Sequence, residues 1–94
     1  MSIRVRRLEA RDKPHWLELF KGYIAFYNAN VAEEVMELTW QRLINEEPGF
    51  HIGLVATRED DDVPIGLAHV LFHRSTWSPT WYCYLEDLFV LTSE

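Results

Sequence analysis

Two stretches, "VPIGLAHVLFHR" at 63–74 and "WYCYLEDLFVL" at 81–91, set the tightest limit on what this chain can fold into. Side chains alternate across a β-strand, so each face can be read separately. In the first stretch Val63, Ile65, Leu67, His69 and Leu71 fall on one face, and Gly66, Ala68, Val70 and Phe72 on the other. In the second, if the strand is regular, Trp81, Cys83, Leu85, Phe89 and Leu91 point one way and Tyr82, Tyr84, Leu88 and Val90 the other. Both faces of both strands are largely apolar. A sheet with one wet side shows apolar/polar alternation, whereas runs of this kind call for cover on both sides.

The remaining sequence supplies cover for one side. "IRVRRL" at 3–8 alternates apolar and basic residues and predicts a half-buried edge strand. Asp12 is placed to cap a helix, and Pro14 is tolerated in its first turn. From Trp16 to Asn28, apolar residues recur three and four apart, the period of a helix with a wide apolar face. "NAN" at 28–30 interrupts it. A second helix, or a split pair, is expected over Val31 to Asn45 with Val35, Leu38, Leu43 and Ile44 inward, stopped by Pro48 and Gly49. "HIGLVATRE" then reads as a strand, followed by the acidic turn "DDD" and the two apolar strands as hairpins. The predicted class is α+β, in the order β-α-α-β-β-β, with an antiparallel sheet and helices on one face. In 94 residues there is room for one domain and one core, so the second face needs cover from more chain or another molecule.

Composition narrows the partners. A content of 48% hydrophobic and 14% aromatic residues lies far from the disordered class. The net charge of -6 argues against nucleic-acid binding, which needs clustered cations to displace phosphate counterions, and favours a small cationic partner. No apolar run approaches the ~18 residues that span a membrane, and no membrane partner is expected. One cysteine, Cys83, cannot form an internal disulfide, which points to a reducing cytoplasm. No Cys/His spacing resembles a zinc site, so no metal is expected. His15 and His51 read as surface or turn residues, while His69 and His73 share a strand face and are assigned packing or surface roles.

Glu86 and Asp87 are the candidate chemistry. Two adjacent carboxylates inside an apolar strand are costly unless hydrogen-bonded, paired with a cation or protonated. Neighbours on a regular strand point to opposite faces, so both can line one cavity only at an irregularity, and a β-bulge is expected near Glu86 to Leu88. Two readings stay open. In one, a carboxylate takes a proton from a substrate amine or holds it as a cation. In the other, one acid pairs with a neighbouring element and its companion is solvated at the strand edge.

The segment "VPIGLAHVLFHRSTWSPTWYCYLEDLFVLTSE", with Ile65-Gly66 in one strand, an aromatic turn and "YLEDLFV" in the next, resembles the GNAT superfamily of acetyl-CoA-dependent N-acetyltransferases. Within it, the Trp-containing hairpin before "YLEDLFV" looks most like the spermidine/spermine-type small-amine acetyltransferases. The resemblance implies acetyl transfer from acetyl-CoA to a primary amine of a small cationic substrate. It implies that Glu86 and Asp87 face the amine, with a water-relayed base role. It further implies that backbone groups of Leu88, Phe89 and Val90 hold the pantetheine arm, and that Tyr27 and Glu33 lie near the substrate entrance. Residues 1–94 correspond to the N-terminal half of that domain, ending before the pyrophosphate-binding loop, so the chain is expected to be incomplete for catalysis by itself. The competing expectation is a non-catalytic truncated module whose open sheet forms a homo-oligomer or receives a complementing C-terminal half.

Overall fold

The computed structural model describes residues 2–91; Met1 and residues 92–94 of the expected 1–94 domain lie outside the described residues. Strand β1 (Ile3–Arg7) leads through a short 3-10 turn (Ala10–Asp12) into helix α1 (Lys13–Phe26) and then helix α2 (Glu33–Ile44). Three consecutive strands follow, β2 (Ile52–Arg58), β3 (Pro64–Arg74) and β4 (Trp81–Val90). They form one sheet in the order β1-β2-β3-β4 with every neighbouring pair antiparallel. The architecture is the α+β arrangement read from the sequence.

Helix α1 begins three residues earlier than its apolar period suggests, at Lys13, because Pro14 occupies the first turn, where a missing N–H costs nothing. Asp12 precedes it but does not cap it with its side chain. The carboxylate is buried and accepts a two-pronged pair from Arg6, at 2.7 and 2.9 Å, and the Glu9 backbone N–H at 2.8 Å. Arg6 also reaches Asp62 at 3.2 Å, so one guanidinium ties β1, the 3-10 turn and the β2–β3 turn together. Asn28, at φ 54°, ends the first helix in the left-handed region that asparagine tolerates.

The core lies between the helices and one sheet face: Trp16, Leu19 and Phe20 from α1, Met36, Trp40 and Leu43 from α2, and Leu67 from β3. Fully burying each large apolar side chain is worth roughly 1.5–3 kcal/mol. Helix α2 is unbroken, and its inward stripe is Met36, Trp40 and Leu43, spaced four and three apart. The expectation for Val35 and Leu38 is corrected: both are about half exposed, because the indole of Trp40 and the thioether of Met36 set the buried side of the helix.

The opposite sheet face is bare among the described residues. Ile3 and Val5 are 52% and 66% exposed, so the apolar side of β1 points away from the helices and Arg6 turns toward them to meet Asp12. In β4 the regular alternation is also corrected. His69 pairs with Asp87 and Val70 with Leu85, leaving Glu86 as an extra residue opposite no partner. This bulge, where the paired acids demanded one, places Leu85 with Leu88 and Val90 on the open face, while Phe89 packs toward α1 against Gly22 and Tyr23. Among the described residues no helix is long and apolar enough to cross a membrane.

Candidate functional site

The site grows out of the β4 bulge. A bulge lets two successive side chains share a side of the strand, and Glu86 and Asp87 both line one cavity of about 470 Å³ between β4, α1 and α2. Its walls are mostly apolar and aromatic. Phe20, Tyr23, Ile24 and Tyr27 come from α1 and its end, Val31, Val35 and Thr39 from α2 and the segment before it, and Phe50 from the loop before β2. Tyr23 stands at the centre of this aromatic row, stacked on Phe20 with centroids 6.3 Å apart and edge-on to Tyr27 at 5.2 Å. The exposure of Val35 therefore opens into the cavity.

The two carboxylates sit in unlike surroundings. Asp87 faces a buried histidine: His69 Nδ1 lies 2.9 Å from Asp87 Oδ2, and His69 Nε2 accepts the indole N–H of Trp16 at 3.1 Å. An indole N–H can only donate, so Nε2 offers its lone pair and the ring proton of neutral His69 sits on Nδ1, pointed at Asp87. Burial alone raises the Asp87 carboxyl, but the His69 hydrogen bond, with the nearby Tyr23 hydroxyl, outweighs it and holds it below the usual carboxylate range. Burial, and then the neighbouring Asp87 carboxylate, push the Tyr23 phenol up to about 12.

Glu86 carries no such clamp. Its side chain is 47% exposed, and its closest charged neighbour is His51, whose Nε2 lies 3.5 Å from Glu86 Oε1. The expectation that His51 is a surface or turn residue is corrected: it lines the cavity, because the loop after α2 turns Phe50 and His51 inward against each other. His69 is a buried packing residue as expected, with the added bond to Asp87, and His73 is exposed beside Tyr82. Both readings of the paired acids thus describe part of the geometry. Asp87 pairs with a neighbouring strand and Glu86 meets solvent, yet both face one cavity.

The other predicted site residues separate. Tyr27 lines the cavity. Glu33 does not; it borders a different depression between α1 and α2 and approaches Lys21 at 3.9 Å. Leu88, Phe89 and Val90 follow the bulge on β4, the terminal strand of the sheet, and pair with Ala68, Leu67 and Gly66. Half of the backbone groups of a terminal strand point away from its neighbour and have no ladder partner, which suits an extended, amide-bearing ligand such as a pantetheine arm. Trp16, Tyr23, His51 and His69 were not singled out by the sequence as site residues. The one available signal was the run of tyrosines on the apolar face of α1.

No protein-family model matches the chain. The D-amino-acid N-acetyltransferase HPA3 of Saccharomyces cerevisiae is 32% identical over 88 residues, covering 94% of this chain and 54% of that protein. A GNAT family acetyltransferase of Staphylococcus aureus superposes with a TM-score of 0.72 at 17% identity, over 99% of this chain and 65% of that one. The acetyltransferase AAC(6')-Iy, solved with a CoA bisubstrate analogue, gives 0.75 at 18% identity over 99% and 60%. Glucosamine-6-phosphate N-acetyltransferase of Arabidopsis thaliana gives 0.65 at 16% identity over 99% and 63%. The chain spans about half the length of the curated relative and under two thirds of each of these structures. In fold, and in its sequence likeness to an N-acetyltransferase, the chain is a portion of the GNAT acetyltransferase fold.

Proposed function

We propose that the protein to which these residues belong transfers an acetyl group from acetyl-CoA to a primary amine held in the β4 cavity. The observation that carries this reading is the bulge, which sets an exposed carboxylate beside a partly buried one bonded to His69, in an aromatic cavity next to the open edge of the sheet. The likeness to a D-amino-acid N-acetyltransferase and to a fold seen with a CoA analogue supports it, and makes amines and amino acids the acceptor classes to test.

In this reading the amine arrives as an ammonium ion and must lose a proton before its nitrogen can attack. Glu86 is the group to accept that proton, directly or through water, because it is exposed and engaged by no strong donor. Asp87 is a poor base: with His69 bonded to it and its acidity strengthened, it serves as a fixed negative charge that steadies the ammonium. The aromatic rings of Tyr23 and Tyr27 add cation–π attraction on the substrate side. Backbone groups of Leu88, Phe89 and Val90 would hold the pantetheine arm, bringing the thioester of acetyl-CoA, the acyl donor, to the mouth beside Glu86. Glu33 takes no part. A reducing compartment such as the cytoplasm suits the free, exposed Cys83.

The test is thiol release from acetyl-CoA by the full-length protein with a panel of amines and amino acids. Acceptor-dependent release that Glu86→Gln lowers by about 10²-fold or more is expected; no release with any acceptor would overturn the assignment.

A further inference from the structure

We propose that His51 is a proton relay behind Glu86: it takes from Glu86 the proton that Glu86 has accepted from the ammonium, and passes it to water on the other side of the cavity wall. The inference rests on the acetyl-transfer reading for the source of the proton and on the position of His51 for its route.

The reaction sets the need. An ammonium nitrogen loses two protons as its bond to the acetyl carbon forms and the carbon–sulfur bond breaks; one ends on the thiol, and the other must reach solvent. A carboxylate is a poor place to leave the second, since its ordinary value of about 4 lies far below the ~10 of an alkylammonium and the proton returns to nitrogen. An imidazole, which gains and sheds protons near neutrality, is a better one. Three observations assign that task to His51. Its Nε2 lies 3.5 Å from Glu86 Oε1, so a movement of roughly half an ångström by the exposed Glu86 side chain brings the pair to hydrogen-bond distance. That nitrogen is buried and makes no hydrogen bond among the described residues, an uncommon state for a buried polar atom, whereas both ring nitrogens of His69 are engaged, by Trp16 and Asp87. Finally, His51 stands in a wall between two hollows. Besides the β4 cavity it borders a second depression of about 370 Å³, and among the described residues it is the one titratable side chain that lines both. The charged groups of the β4 cavity that face the ring are Glu86 and Asp87, with Tyr23, Tyr27 and His69 as its other titratable side chains. On the second side Arg7 pairs with Glu46 at 3.0 Å and Glu47 with Arg42 at 3.3 Å. An imidazolium formed at His51 thus meets two carboxylates and no unpaired cation.

The test measures kcat/KM for thiol release on the full-length protein and its His51→Gln and His51→Ala variants, with and without added imidazole, beside unfolding midpoints. Glutamine can still hydrogen-bond Glu86 but cannot carry a proton. Both variants are expected to lose about 10²-fold, the lower end for a proton-transfer group, and imidazole is expected to restore most of the loss in His51→Ala and none in His51→Gln. In a Glu86→Gln background the His51→Gln change should cost nothing more, because the relay acts through Glu86. A His51→Gln protein as active as the parent overturns the relay, as do losses that add in the double variant or a folded His51→Ala protein that imidazole does not restore. An active parent with unaffected variants overturns the relay alone; a parent inactive with every acceptor overturns the acetyl-transfer reading and the relay with it.

Discussion

At the scale of single residues, the hydrogen-bonded line from buried Trp16 through buried His69 to Asp87 determines how the two acids differ. Trp16→Phe keeps most of the ring volume but leaves His69 Nε2 buried without a donor, and should cost about 1–3 kcal/mol in urea unfolding. A loss below roughly 0.5 kcal/mol, the scale of a neutral surface change, would show that the bond contributes nothing. Asp12 and Asp87 both titrate low in the folded chain, Asp12 because the Arg6 pair and the Glu9 N–H outweigh its burial. In the pH range between folded and unfolded values the unfolded chain binds more protons. Their contribution is therefore complete above the ordinary carboxylate value of about 4 and is lost as pH falls through the lower folded values. Unfolding midpoints followed from pH 6 downward should fall in that acid window, and Asp12→Asn should flatten the slope. Glu86 and Asp87 could be found in the sequence because adjacent acids in an apolar strand contradict its alternation, and the same contradiction located the bulge. Trp16 and His69 could not, since the bond joins residues 53 positions apart and no local spacing encodes it.

At the scale of elements, the strands and helices were legible from their periods, and the error at Val35 falls where a cavity interrupts the packing. Val35 looks like a core residue by spacing, yet the helix turns it toward the cavity while Met36 and Trp40 take the core. Periodicity registers an apolar side chain but cannot tell a filled interior from a lined hollow. The β3–β4 pairing offers a sharper test. A Cβ added at Gly66 would stand 3.1 Å from the backbone oxygen of Phe89, so Gly66→Ala must displace β4 itself, the strand that carries the bulge. At Gly22 the added carbon would meet only the Phe89 ring at 3.2 Å, and alanine favours the helix by about 1 kcal/mol. Gly66→Ala should thus destabilise by roughly 1–3 kcal/mol in thermal unfolding, and clearly more than Gly22→Ala. Equal effects would mean that β4 is not pinned against β3 at this point.

At the scale of the whole molecule, the sheet separates two environments. Its inner face carries the core and the cavity; its outer face exposes Val5, Leu85, Leu88 and Val90, each half or more open to water. The demand for cover on both faces was legible from the two apolar strands alone, and among the described residues only one face receives it. A polypeptide of these residues should enhance the fluorescence of an apolar dye such as ANS, and Leu88→Glu should reduce that signal while changing stability by less than about 0.5 kcal/mol, since the side chain gives up little buried area. Unchanged dye binding would place the exposed apolar surface elsewhere. The central claim concerns the inner face: Glu86 is the proton acceptor and Asp87 its fixed neighbour. It is tested most directly by kcat/KM for acetyl transfer to an amine, measured on the full-length protein and its Glu86→Gln variant. The account predicts a loss of about 10²- to 10⁴-fold with acetyl-CoA affinity and unfolding midpoint retained; a Glu86→Gln protein as active as the parent would contradict it.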